Sequence, residues 1–147
     1  MDREINKIYN EYVNILRPYI GNDTTYADDL ERKGKKIFGS RFLGVFASDQ
    51  LPDIRNGQMY IANLDRSDEP GSHWIGVYAK NNKKYVYDSF GRKSEKIISS
   101  IFSKGGEIRD TEYDAEQSKQ EDNCGLRSIV ALYMFDEFDP ELVADYL

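Results

Sequence analysis

Apolar positions at Ile5, Ile8, Tyr9, Tyr12, Val13 and Leu16 recur three and four residues apart, the spacing that lines one face of a helix, and Pro18 closes the pattern. The hydroxyls of Thr24 and Thr25 can cap a second helix running towards Ile37, with Gly39 as its stop and Gly34 as a weak point inside it. After Pro52 the period changes. Residues 59–64, 73–79 and 84–90 are short, β-rich runs bounded by turn residues, and they predict strands. Residues 94–104 return to helical spacing through Ile97, Ile98, Ile101 and Phe102, closed by Gly105-Gly106, and a short strand is predicted over 107–112. A strongly apolar run over 126–135 predicts a helix beginning almost at Cys124 and broken at Asp139-Pro140, with a short helix to finish. Helix, strands, helix, strand, helix is the order of an α+β fold rather than of alternating βαβ units. No internal repeat or Pro/Gly/Ser-rich linker divides the chain, which predicts one domain over 1–147.

The two runs around Asn81-Asn82 carry a geometric consequence. If they form a hairpin with an even loop centred there, Ile75 faces Asp88 and His73 faces Phe90. His73 and Asp88 are then diagonal neighbours on one side of the sheet, with Cα atoms roughly 7–8 Å apart, within side-chain reach. A three-residue loop would put them on opposite faces. In the even register Trp74, Tyr78, Tyr85 and Tyr87 occupy the other face and are candidate core residues.

His73 is the only histidine and Cys124 the only cysteine of the chain. A carboxylate bonded to one imidazole nitrogen fixes the tautomer and leaves the other nitrogen to take a proton from a thiol. At a helix N-terminus Cys124 would stand where the helix dipole and unpaired N–H groups favour a thiolate and, later, an acyl oxyanion. Gln117 or Gln120 could add an amide donor from the preceding loop. Acyl transfer through a thioester is the reaction class these groups allow. Each residue also has an ordinary structural role: free cysteines are often buried, a lone histidine in a strand often serves packing, Asp88 can open a turn, and Gln117 can face solvent. The combination in one chain order points to chemistry where no single member does.

Composition narrows the setting. A length of 147 residues with 39% hydrophobic side chains suffices for one core, and no apolar stretch reaches the roughly 20 residues of a membrane span. The net charge of −6 speaks against a protein whose main task is gripping nucleic acid, and the basic clusters at Lys33, Lys35 and Lys36 and over 80–84 are then solvated surface. Met1-Asp2-Arg3-Glu4 leads into an amphipathic pattern without a signal-peptide apolar segment, and a lone cysteine cannot form an internal disulfide. Both predict a reducing, intracellular setting.

Taken in order, His73-Trp74, Asp88 within Tyr87-Asp88-Ser89-Phe90-Gly91, Gln117, and Asn123-Cys124-Gly125 resemble the His, Asp/Glu, Gln, Cys succession of the adenovirus protease and the ubiquitin-like-protein (SUMO) proteases. Papain places its cysteine first. Phe42-Leu43-Gly44-Val45-Phe46, then Leu51-Pro52 and Ile61-Ala62-Asn63, resemble the N-terminal signature of the adenovirus branch, as does the step from Gln117 to Cys124. The resemblance covers residues 38–138. It is to the adenain-like maturation proteases of double-stranded DNA viruses and of virophage- and polinton-type elements.

The resemblance implies a papain-like α+β fold with a central mixed sheet and the cysteine at a helix N-terminus. It implies Cys124 as nucleophile, His73 as general base and then acid, Asp88 as the residue orienting the imidazole, and Gln117 as a side-chain oxyanion donor. The implied activity is a cysteine endopeptidase cutting capsid and other structural precursors near small residues during virion maturation, in the virion and the host-cell cytoplasm. The alternative is an isopeptidase that removes ubiquitin-like modifiers. In adenain a disulfide-tethered peptide and DNA activate the enzyme; with no second cysteine and a negative net charge, neither is expected here. No cofactor or metal is expected, the partners are capsid precursors as substrates, and the protein is expected to be a monomer without membrane contact.

Overall fold

The computed structural model describes residues 2–20, 27–64, 73–89, 92, 94, 101, 106–111 and 124–147. Helix α1 (Asp2–Ile20) buries Ile5, Tyr9, Val13 and Ile20 along one stripe, with Ile8, Tyr12 and Leu16 half-buried beside it. It runs through Pro18 rather than stopping there, which corrects the expected boundary. In a helix interior proline costs about 3 kcal/mol. In a last turn it removes only one hydrogen bond, and burying Ile20 returns about 1.5–3 kcal/mol.

Helix α2 (Ala27–Phe38) ends, as expected, where Gly39 takes φ +69°, and a 3₁₀ turn (Gly39–Arg41) leads into the sheet. Gly34 has a packing reason inside this helix: a Cβ there would lie 2.6 Å from the ring of Phe42, which crosses the helix at that point. Thr24 and Thr25 lie outside the described residues.

Five strands form one mixed sheet in the order β1 (Phe42–Ala47), β2 (Met59–Asn63), β3 (Trp74–Lys80), β4 (Lys83–Tyr87), β5 (Glu107–Asp110). The outer pairs β1/β2 and β4/β5 are parallel and the inner pairs antiparallel. Strand β1 was not legible from periodicity. Its register slips between Phe42 and Val45, Gly44 takes φ +137°, and Glu31 of α2 accepts a hydrogen bond from the Val45 N–H at 3.1 Å. A Cβ at Gly44 would collide with that carboxylate, so the irregular strand needs glycine there.

Helix α3 (Cys124–Glu137) lies over β3, and α4 (Pro140–Tyr146) follows the break at Asp139, whose side chain caps it. All but three residues of α3 are buried, because α1, α4 and the sheet surround it. One sheet face packs Trp74, Tyr78, Tyr85 and Tyr87 against these helices, the core role expected for them. The opposite face gathers Tyr60, Ala62, Ile75, Val77 and Val86 with Leu51 and the fully buried Ile101. Apart from Ser94 and Ile101, the helix expected over 94–104 lies outside the described residues. The fold is α+β, with a five-stranded mixed sheet and, among the described residues, four α-helices. None of these helices is long and apolar enough to cross a membrane.

Candidate active site

Strands β3 and β4 are joined by the two residues Asn81 and Asn82, both with positive φ (55° and 63°), the conformation of a two-residue hairpin turn that follows sheet twist. The pairing runs from Lys80 opposite Lys83 to Gly76 opposite Tyr87, the even register expected from the sequence. His73 immediately precedes β3 and Asp88 immediately follows β4, so the diagonal contact closes. His73 Nε2 lies 2.6 Å from Asp88 Oδ1. A carboxylate only accepts, so Nε2 carries the hydrogen, and Nδ1 is the nitrogen that can receive a proton.

Strict alternation would put His73 and Asp88 on the face away from α3. Both stand one residue beyond their strands, and Cys124 heads α3 at the same end of the sheet, so the groups gather around that end rather than across one face. The first turns of α3 are bonded to both backbone groups of Trp74. Its N–H donates to Cys124 Sγ at 3.4 Å, and its carbonyl accepts from Ser128 Oγ at 3.2 Å. On the other side the His73 carbonyl accepts from the Leu64 N–H at 3.0 Å, which fixes the entry to β3 from β2.

All three residues are buried: Cys124, His73 and Asp88 are 6%, 7% and 2% exposed. Burial opposes an imidazolium at His73. Hydrogen bonds to Asp88 and Cys124, with the electrostatic attraction of the same two side chains, outweigh it and raise the imidazole above its ordinary value. The arrangement provides a thiol, a ring nitrogen to take its proton, and a carboxylate to fix the ring. That set can carry nucleophilic acyl transfer. Among the described residues no group of three or more His, Cys, Asp or Glu side chains could hold a metal ion.

Of the residues singled out in the sequence, the structure brings Cys124, His73 and Asp88 to one place. Gln117 and Gln120 lie outside the described residues. Two features were not foreseen. One is the Trp74 N–H on the sulfur, which no side-chain pattern signals. The other is Arg92, whose Nε donates to Asp88 Oδ2 at 2.7 Å; its only trace in the sequence is a basic residue four positions after Asp88. Compared with known proteins, the chain matches no family model and no curated sequence at a significant level.

Proposed function

We propose that this chain is a cysteine endopeptidase of the adenain type that cleaves capsid or other structural precursor polypeptides during virion maturation. The observation that carries it is the gathering of Asp88, His73 and Cys124 at one end of the sheet, with His73 bonded to Asp88 and the thiol on the first residue of a helix. The substrate class rests on the resemblance of the motif set.

In the first step Nδ1 of His73 takes the Cys124 proton as Sγ adds to the scissile carbonyl carbon. Asp88 holds the imidazolium through Nε2, so the charge formed at the ring is met by one already in place. The tetrahedral oxyanion is stabilised by the N–H groups at the start of α3, left without intrahelical acceptors, and by the amide of Gln117. Collapse expels the amine, which takes its proton from His73, and leaves a thioester on Cys124. Water, deprotonated by the same imidazole, then releases the acid and restores the thiol.

The test is co-expression with candidate capsid precursors, followed by mass spectrometry of new termini. Wild-type protein generates them beside a small residue; Cys124→Ala, folded to the same unfolding midpoint, generates none. Processing that continues in Cys124→Ala refutes the proposal. Covalent capture of a ubiquitin-like protein bearing a C-terminal electrophile, with capsid-derived peptides left intact, would replace it with a deconjugating isopeptidase.

A further inference from the structure

We infer that Arg92 is a positioning residue: its guanidinium fixes the plane of the Asp88 carboxylate, so that the other oxygen is held on His73. This rests on the roles proposed for Cys124, His73 and Asp88. The Asp88 side chain is 1% exposed and its two oxygens are divided, Oδ1 at 2.6 Å from His73 Nε2 and Oδ2 at 2.7 Å from Arg92 Nε.

A carboxylate turns easily about its last bond, because that torsion has a broad, nearly two-fold profile. A single bond from His73 to one oxygen does little to oppose that rotation. A second bond to the opposite oxygen opposes that rotation. Arginine suits the task because Nε–H lies rigidly in the guanidinium plane, whereas lysine offers a mobile point charge. The Arg92 side chain is 42% exposed, so the guanidinium closes the buried carboxylate from the solvent side. Hydrogen-bond partners that orient metal ligands change affinity or activity by about 10–100-fold when removed, and a partner that orients a carboxylate on an imidazole acts in the same way.

A plain counter-ion would leave a different signature. Among the described residues, the titratable and charged groups facing His73 are Asp88 and Cys124, with Arg92 beyond Asp88. If Arg92 contributed charge alone, its removal would strengthen the pull of Asp88 on an imidazolium, and His73 would titrate at higher pH. If it positions Asp88, removal loosens the Asp88–His73 bond, and His73 titrates at lower pH. The two roles predict opposite signs.

The experiment compares wild type, Arg92→Ala, Arg92→Lys, Asp88→Asn and the Arg92→Ala/Asp88→Asn double variant as full-length protein. Three quantities are read: the NMR titration of the imidazole, free of overlap because His73 is the only histidine; the alkylation rate of Cys124; and kcat and KM on a cleaved precursor peptide. For Arg92→Ala the expected result is a kcat lower by about 10–100-fold with KM little changed, and a His73 titration moved to lower pH. Arg92→Lys recovers part of both, and in the Asp88→Asn background Arg92→Ala adds nothing, because its effect passes through that carboxylate. An upward titration shift, or a full additional loss in the Asp88→Asn background, overturns the positioning role. If no peptide is cleaved by any form, the endopeptidase proposal fails, while the direction of the His73 shift still decides the role of Arg92.

Discussion

Replacing Gly76 by alanine tests whether the seat of α3 on the sheet sets the geometry of the proposed active site. Gly76 lies in β3 directly beneath that helix. A Cβ there would fall 3.2 Å from two carbons of Leu132 and 3.3 Å from the backbone carbonyl oxygen of Ser128. Carbon contacts relax near 3.5–4.0 Å, so a movement of about 0.3–0.5 Å is needed. Leu132 is fully buried and has little room to turn, and the Ser128 carbonyl moves only with the helix. Overpacking of this kind costs about 1–3 kcal/mol. Exchanging glycine for alanine returns about 0.4–1 kcal/mol through the unfolded chain. Because neither neighbour can give way, the collision wins at mid-range, for a net loss of about 1 kcal/mol. Lifting α3 also stretches the two contacts that register it on Trp74, the 3.4 Å N–H to Sγ and the 3.2 Å Ser128 hydroxyl to carbonyl. Since 1 Å of misplacement can cost about 100-fold, a shift of several tenths of an ångström predicts roughly tenfold slower turnover. Urea unfolding measures the first effect; peptide turnover and Cys124 alkylation measure the second. Wild-type turnover with raised stability would refute the reasoning, for it would mean that α3 has slack over β3 and that Cys124 is placed by something else.

Three further outcomes are expected. Tyr60 is fully buried and its hydroxyl finds no hydrogen-bond partner among the described residues, so Tyr60→Phe should raise the urea midpoint by an amount worth about 1–2 kcal/mol, and a lower midpoint would show that the hydroxyl is satisfied. Gly34→Ala should destabilise by about 1–3 kcal/mol despite the better helix former, because the new methyl meets the Phe42 ring. A double-mutant cycle with Phe42→Ala should recover much of that loss, and strict additivity would contradict the contact. The raised value of His73 makes its protonated form a stabiliser of the native state. Its contribution is complete below the unfolded value of about 6.5 and disappears as pH climbs through the higher folded value. Unfolding free energy measured upward from about pH 6 should therefore fall more steeply in wild type than in Asp88→Asn, and equal slopes would contradict the assignment.

What the sequence disclosed and what it withheld divide along the range of the forces involved. The hairpin was legible because its register is a local matter: two asparagines, among the few non-glycine residues that tolerate positive φ, fix a two-residue turn, and strand alternation does the rest. The start of α3 was legible from the apolar run after Cys124, which three surrounding elements bury. Strand β1 was hidden because its form depends on Glu31 reaching from α2 to the Val45 N–H, a contact 14 residues away in sequence. The run-on of α1 past Pro18 was hidden because tertiary burial of Ile20 decides it. Arg92 was hidden because its partner is chosen by the path of the chain beyond β4, which no periodicity describes.

The turn has a consequence at the far end of the sheet. Strand β3 separates Asn81 from His73 by eight residue steps, about 26 Å. A three-residue loop drawn from the same sequence would slip the pairing by one and put Asp88 on the face opposite to His73. Arg92, four residues on, would leave with it. The Asp88 carboxylate is thus placed by the register that the turn sets on the opposite side of the domain. Substitutions at Asn81 or Asn82 should act on the site through register rather than through contact: glycine, which tolerates positive φ, should preserve the His73 titration, while β-branched residues should degrade it. A valine at both positions with an unaltered His73 titration would show that strand pairing and the aromatic face over α3, rather than the turn, hold the register.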